Sequence, residues 1–121
     1  MSDPIVTFFD AWQLEAADDR LRRIRESVIE NVVYNDPRTP EAIHGVPELD
    51  AYVGMFAANA PGWAASVVAC DEIAGVHRAT VAFGGPGPDG KDKVQHGQYF
   101  IEKDGDRLSR LVGFAGLGSP A

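Results

Sequence analysis

The sequence predicts an α+β fold in which three N-terminal helices pack on one face of a curved, mostly antiparallel sheet. Three observations predict it. Up to about residue 60 the apolar residues recur at intervals of three and four, the spacing of a helical stripe, interrupted by one β-branched run. From Trp63 onward the period changes to two. Helices first and strands after is the order of an α+β domain, in which helices are segregated to one face of an antiparallel sheet. The 121 residues are expected to form one domain, 1–121.

Asp3-Pro4 is a helix-start signal with proline at the first position. Ile5, Phe8, Phe9, Trp12 and Ala16 then share one stripe, predicting a helix over 4–18. A second helix is expected over 19–30, with Leu21, Ile24 and Val28 inward and the arginines of "RLRRIR" as its solvated face. "NVVYNDP" reads as the first strand and "RTPEAIHG" as a loop closed by Gly45. The third helix starts near Pro47, carries Leu49, Tyr52, Val53 and Phe56 on one side, and ends at "NAPG". "WAASVVACDEIA", "VHRATVAFG", "KVQHGQYFIE" and "RLSRLVGFAG" follow as four strands joined by turns.

Composition excludes several function classes. The hydrophobic fraction of 45% and charged fraction of 24% are those of a globular chain rather than a disordered one. A net charge of −7 argues against a nucleic-acid partner, which needs a basic surface. One cysteine, Cys70, permits no intrachain disulfide and no thiolate zinc set; it reads as a small buried hydrophobe. His44, His77 and His96 lack metal-ligand spacing, so no metal is expected. The start, with Asp3 and Asp10 and no basic n-region, does not read as a signal peptide, and no apolar run approaches a membrane span. The expectation is a cytoplasmic protein without a membrane partner.

Two stretches carry chemistry. Strand alternation puts Val32, Tyr34 and Asp36 of "VVYNDP" on one face. The long hairpin gives a second handle. A two-residue turn at Asp89-Gly90 would set Val81 opposite Gln98, Phe83 opposite His96 and Ala79 opposite Phe100. Directly opposite residues share a face. The apolar set Ala79, Val81 and Phe83 would then take His96, Gln98 and Phe100 into the core, leaving Tyr99 and Ile101 outside with Arg78 and Thr80. Buried His96 and Gln98 would need a ligand or a hydrogen-bonding partner.

The series "YNDP", Gly45 ahead of "ELDAYVGMF", "APG" at 60–62, "GVHRATVAF", "HGQYF" and "DGDRLSRLVGFAG" spans nearly the whole chain. In this order it resembles the nuclear-transport-factor-like cone fold, specifically its SnoaL-like and ketosteroid-isomerase-like members. The resemblance implies a cone-shaped barrel with helices on the concave face, an internal pocket open at one end, and a homodimer through the convex face. It also implies an aspartate at the Asp-Pro position, Asp36 here, that shuttles a proton. A carboxylate in an apolar cavity has its charged form disfavoured, which raises basicity in general. The departures are Trp12 near the position of an oxyanion-hole tyrosine and Gln98 near that of a protonated aspartate, and they put steroid isomerisation itself in doubt.

Two functions follow, from different classes. One is a cofactor-independent isomerase, cyclase or dehydratase acting on a small apolar carbonyl compound. In it Asp36 is base or acid, His96 and Gln98 polarise or relay, and Trp12, Tyr34, Phe56 and Phe100 line the cavity. The other is a non-catalytic ligand-binding or dimerisation module. Asp36 itself has two readings. Either the strand delivers it into the pocket, where burial without a partner would leave Asp36→Asn at least as stable as the parent, or it caps the turn at Pro37.

Overall fold

The computed structural model describes residues 3–116. Helix α1 (Pro4–Asp10) is capped by Asp3, whose carboxylate accepts the Ile5 N–H at 2.9 Å. A 3₁₀ turn (Ala11–Gln13) follows, then α2 (Ala17–Ser27), β1 (Val28–Asn35), β2 (Ile43–His44), α3 (Val46–Asn59), β3 (Ala64–Ile73), β4 (Val76–Pro86), β5 (Asp92–Asp104) and β6 (Arg107–Ala115). The strands form one sheet in the order β2-β1-β6-β5-β4-β3. Every neighbouring pair is antiparallel except β1 and β6, which run parallel. This is the α+β cone fold, three helices on a curved open mixed sheet.

Several element boundaries differ from those the sequence suggests. The first helix stops at Asp10 and the chain turns at Leu14, whose extended backbone (φ −81°, ψ 122°) breaks the helix. Residues 14–16 contain no breaker, and tertiary packing decides: the Arg20 guanidinium holds the Leu14 carbonyl at 3.3 Å, so α2 folds back across α1. β1 begins at Val28, three residues early, because Val28 and Ile29 are β-branched and a register shift between Val28 and Val33 accommodates them on β6. The segment read as a loop contains β2, two residues paired with Val33 and Tyr34 and too short to show a period. Gly45 follows at φ +86°, donates its N–H to the Val32 carbonyl at 2.8 Å and precedes α3; its left-handed backbone is one that a side chain would strain.

The core lies between helices and sheet. Phe8, Phe9 and Trp12 from the first segment, Leu49 and Val53 from α3, and Val32, Tyr34, Val81, Ile101 and Leu111 from the strands are all buried. Cys70 is exposed rather than buried, since the second half of edge strand β3 is exposed. Among the described residues no helix is long and apolar enough to cross a membrane.

The β4–β5 register is one residue away from the expected one, and this corrects the site assignments of Gln98 and Phe100 and the facing expected of His96. The pairs are Ala79 with Tyr99, Val81 with Gly97 and Phe83 with Gln95. Strand pairing ends at Pro86 with Asp92, and Gly87–Lys91 form a five-residue loop. Pro88 is the physical reason. A two-residue turn at 89–90 would require residue 88 to donate a backbone N–H to Lys91, and proline has none. Gly87 makes that bond instead, to the Lys91 carbonyl at 2.8 Å. Tyr99 and Ile101 therefore point into the core, at 4% and 0% exposure, while His96, Gln98 and Phe100 lie on the opposite face with Arg78 and Thr80. Phe100 is 39% exposed and packs edge-on against the exposed Phe114, ring centroids 5.6 Å apart. The large apolar side chains on the outer face are thus Phe100 and Phe114, not Tyr99 and Ile101.

Candidate active site

Asp36 leaves β1 one residue past the strand end, and its two oxygens do different things. Oδ1 accepts the Arg38 N–H at 2.8 Å, and the Asp36 main chain exchanges hydrogen bonds with the Thr39 hydroxyl at 3.0 and 3.1 Å. That is a local side-chain turn of the kind Asp favours. Oδ2 accepts from the Tyr34 hydroxyl at 2.7 Å and from the Tyr52 hydroxyl at 2.5 Å. Turn capping and pocket placement therefore hold together, one on each oxygen.

Each tyrosine reaches Asp36 for a structural reason. Tyr34 lies two residues back on the same strand and shares its face; it is fully buried. Tyr52 sits on α3 one turn before Phe56, and both point toward the sheet. Tyr99, on β5, brings its hydroxyl to 2.8 Å from that of Tyr34, extending the network to four side chains. Gly113 on β6 pairs with Tyr99, and a Cβ there would meet the Tyr99 ring at 2.6 Å, so only glycine leaves the ring its place.

These groups border a cavity of about 930 Å³ between α3 and the sheet. Asp36, Tyr52 and Tyr99 line it together with Trp12, Phe56 and Phe83, and Trp63 and Pro86–Pro88 form part of the surround. Trp12 contacts Phe56 at 5.1 Å and Phe83 at 5.6 Å between ring centroids, so this wall is aromatic. Trp12 is 2% exposed, and its indole N–H has no hydrogen-bond partner among the described residues. A buried orphan donor costs on the order of 1–3 kcal/mol.

Burial holds all three tyrosines well above the ordinary phenol range, and the nearby carboxylate adds to this. At neutral pH they are hydroxyl donors rather than phenolates. Among the described residues no group of three or more His, Cys, Asp and Glu side chains is arranged to hold a metal.

Of the residues singled out in the sequence, the structure gathers Asp36, Trp12 and Phe56 at the cavity. Tyr34 stands behind Asp36 rather than in the wall. His96, paired with Ala82, borders the cavity, whereas Gln98 and Phe100 are turned away on the outer face. Tyr52 and Tyr99 were missed. Tyr52 carried a signal, the four-residue spacing to Phe56 on one helix face, and Tyr99 was hidden by the register.

No protein-family profile and no curated protein sequence matches the chain. Solved structures do. A candidate isomerase of the SnoaL-like family from Agrobacterium tumefaciens is 22% identical, with a TM-score of 0.79 over 94% of this chain and 95% of that one. A hypothetical protein with a ketosteroid-isomerase-like fold from Catenulispora acidiphila, in complex with trimethylamine, is 9% identical, with a TM-score of 0.77 over 98% and 89%. A candidate SnoaL-like polyketide cyclase from Jannaschia sp. CCS1 is 13% identical, with a TM-score of 0.74 over 92% and 81%. What this chain shares with these neighbours is the nuclear-transport-factor-like cone fold. At these identities the likeness is one of fold, and fold alone does not give a reaction.

Proposed function

We propose that this protein is a cofactor-independent enzyme that moves a proton on a small, apolar, carbonyl-bearing molecule, in an isomerase, cyclase or dehydratase type of reaction. The observation that carries the reading is the placement of Asp36. It is the carboxylate in the wall of an aromatic cavity, oriented by a turn on one oxygen and by two tyrosine hydroxyls on the other. A base must lie within hydrogen-bonding reach of the proton it takes, and a fixed carboxylate beside a cavity meets that geometric condition. The substrate carbonyl needs a hydrogen-bond donor in that wall; the Trp12 N–H is unpartnered but closed to the cavity, and would serve only if the indole turned. Developing negative charge on that oxygen strengthens the bond, which is the differential stabilisation that lowers a barrier. Base and donor are both side chains of the chain itself, so the reading needs no cofactor. Gln98 and Phe100 have no role in it.

Ligand binding without catalysis is the second reading. It is favoured by the saturation of Asp36, whose oxygens already accept three hydrogen bonds. It is also favoured by the trimethylamine bound to the Catenulispora protein, since aromatic rings around a carboxylate suit an alkylammonium ion. One experiment separates the two. A panel of enolisable ketones, 2-tetralone among them, is incubated with protein in D₂O, and loss of α-proton signals is followed by NMR. The enzyme reading expects exchange above the buffer rate that Asp36→Asn lowers on the order of a hundredfold or more. Binding of ketones or trimethylammonium compounds with no exchange would favour the second.

A further inference from the structure

The direction of the hydrogen bonds around Asp36 depends on the charge of the carboxylate. An ionised carboxylate only accepts, so Tyr34 and Tyr52 both direct their hydroxyl hydrogens to Oδ2. A tyrosine hydroxyl has one hydrogen. With that of Tyr34 committed to Asp36, the 2.8 Å contact to Tyr99 must run from Tyr99 to Tyr34. Tyr99 lines the cavity, and in this state it has lone pairs but no hydrogen left to offer there.

A proton on Oδ2 reverses the requirement. The carboxyl then donates, and Tyr34 is its buried neighbour. Tyr34 is fully buried and its hydroxyl touches two polar partners, Asp36 and Tyr99. If it accepts from Asp36, its own hydrogen has only Tyr99 to go to, and Tyr99 must turn its hydrogen to the cavity. Tyr52 is under no such constraint, because it is only half-buried and water can complete its hydrogen bonding.

We infer that the Asp36–Tyr34–Tyr99 chain reverses when Asp36 takes a substrate α-proton, making Tyr99 a hydrogen-bond donor to the enolate oxygen formed in the same step. This rests on the proton-transfer reading above and adds to it a further group that touches the reacting atoms. In the step, the α-C–H bond breaks and its proton forms an O–H bond at Oδ2. The C–H electron pair becomes the enolate π bond, the carbonyl pair moves to oxygen, and the negative charge passes from Asp36 to the enolate. The hydrogens of Tyr34 and Tyr99 rotate about their own C–O bonds and none is transferred. Burial, which disfavours the phenolate of both tyrosines, keeps that rotation from becoming an ionisation. Return of the proton to carbon resets the chain.

The test uses 4-nitrophenolate, a coloured oxyanion, at mildly alkaline pH. Asp36→Asn imitates the protonated acid. Its Oδ1 is fixed as the acceptor by the Arg38 N–H, so the amide N–H₂ occupies the Oδ2 position and donates to Tyr34. Asp36→Asn is expected to bind nitrophenolate about tenfold or more tighter than the parent, the worth of one charge-assisted bond. Adding Tyr99→Phe, or Tyr34→Phe, should remove that gain, and the two together should remove no more than either alone. A gain that survives Tyr99→Phe would come from loss of negative charge alone and overturns the inference. So does a gain removed only by Tyr52→Phe, or no gain at all. Should Tyr34→Phe fail to fold, Tyr99→Phe at the end of the chain decides alone. Exchange of ketone protons by the parent is a separate readout: its absence defeats the enzyme reading while leaving the nitrophenolate result to judge the hydrogen-bond chain.

Discussion

Removing the Asp36 carboxylate should destabilise the protein, by an amount that follows from its partners. Asp36→Ala deletes acceptors for three donors at 2.5 to 2.8 Å: the hydroxyls of Tyr34 and Tyr52 and the Arg38 N–H. Hydrogen bonds to a charged group contribute about 1.5–3 kcal/mol each when the donor is left without a substitute. The Arg38 N–H is exposed and Tyr52 is half-buried, so water replaces much of both losses. Tyr34 is fully buried but keeps Tyr99. The sum is therefore about 3 kcal/mol rather than three full bonds. Asp36→Asn preserves the Oδ1 acceptor and lets both tyrosines rotate to accept, so only the charge assistance is lost, about 1–2 kcal/mol. For a chain of this size these correspond to drops in thermal midpoint of roughly 10 °C and 5 °C. This reverses the sequence-based expectation that the Asn variant would be no less stable. That expectation assumed burial without partners, and the structure supplies three. Circular-dichroism melts of the parent and both variants decide it. An Asn variant as stable as the parent would refute the reasoning, because it would mean that the donors do not hold the carboxylate.

Three further outcomes are expected. All three tyrosines of the chain have raised pKa values in the fold, so folding keeps them protonated while the unfolded chain ionises near pH 10. Stability is then complete below about pH 10 and falls above it, with a limiting slope of ~1.4 kcal/mol per pH unit for each of the buried Tyr34 and Tyr99 and less for half-buried Tyr52. Phenolate absorbance at 295 nm should stay flat through pH 10 and rise only with unfolding; a simple titration near pH 10 in folded protein would contradict it. Gly113→Ala should cost about 1–3 kcal/mol in a denaturant melt, since its Cβ meets the Tyr99 ring at 2.6 and 2.9 Å, and an unchanged midpoint would show that the ring is free to move. The homodimer proposal rests on the outer sheet face with exposed Phe100 and Phe114. Light scattering should give twice the 13.0 kDa chain mass, shifting to the monomer in Phe100→Ser/Phe114→Ser. A monomer at tens of micromolar in the parent, roughly where a standard-size interface should hold, would count against it.

Much of the fold was legible because its signals are local. The stripe from Ile5 to Trp12, the face of Leu49, Val53 and Phe56, and the change to a period of two after Trp63 each mark an element without reference to anything distant. Asp36 was legible for the same reason: Val32, Tyr34 and Asp36 alternate on one strand. The hairpin register was not, although the deciding residue was in view. Pro88 cannot donate the N–H a turn at Asp89-Gly90 needs, and giving Asp-Gly precedence over it exchanged Tyr99 for His96 and Gln98. The meeting of Tyr52, Tyr34 and Tyr99 on one carboxylate depends on three elements far apart in the chain, which no local period records.

The central claim is that Asp36 exchanges a proton with a molecule held in the aromatic cavity. Its most direct measurement is deuterium incorporation from D₂O into 2-tetralone, comparing the parent with Asp36→Asn at a temperature where both are folded. A single fixed carboxylate delivers deuterium to one face of the enol, so the account predicts exchange in the parent at one of the two hydrogens of each reacting methylene and a loss on the order of a hundredfold or more in the variant. Exchange that is equal in the two proteins, or unselective between the two hydrogens, would contradict it.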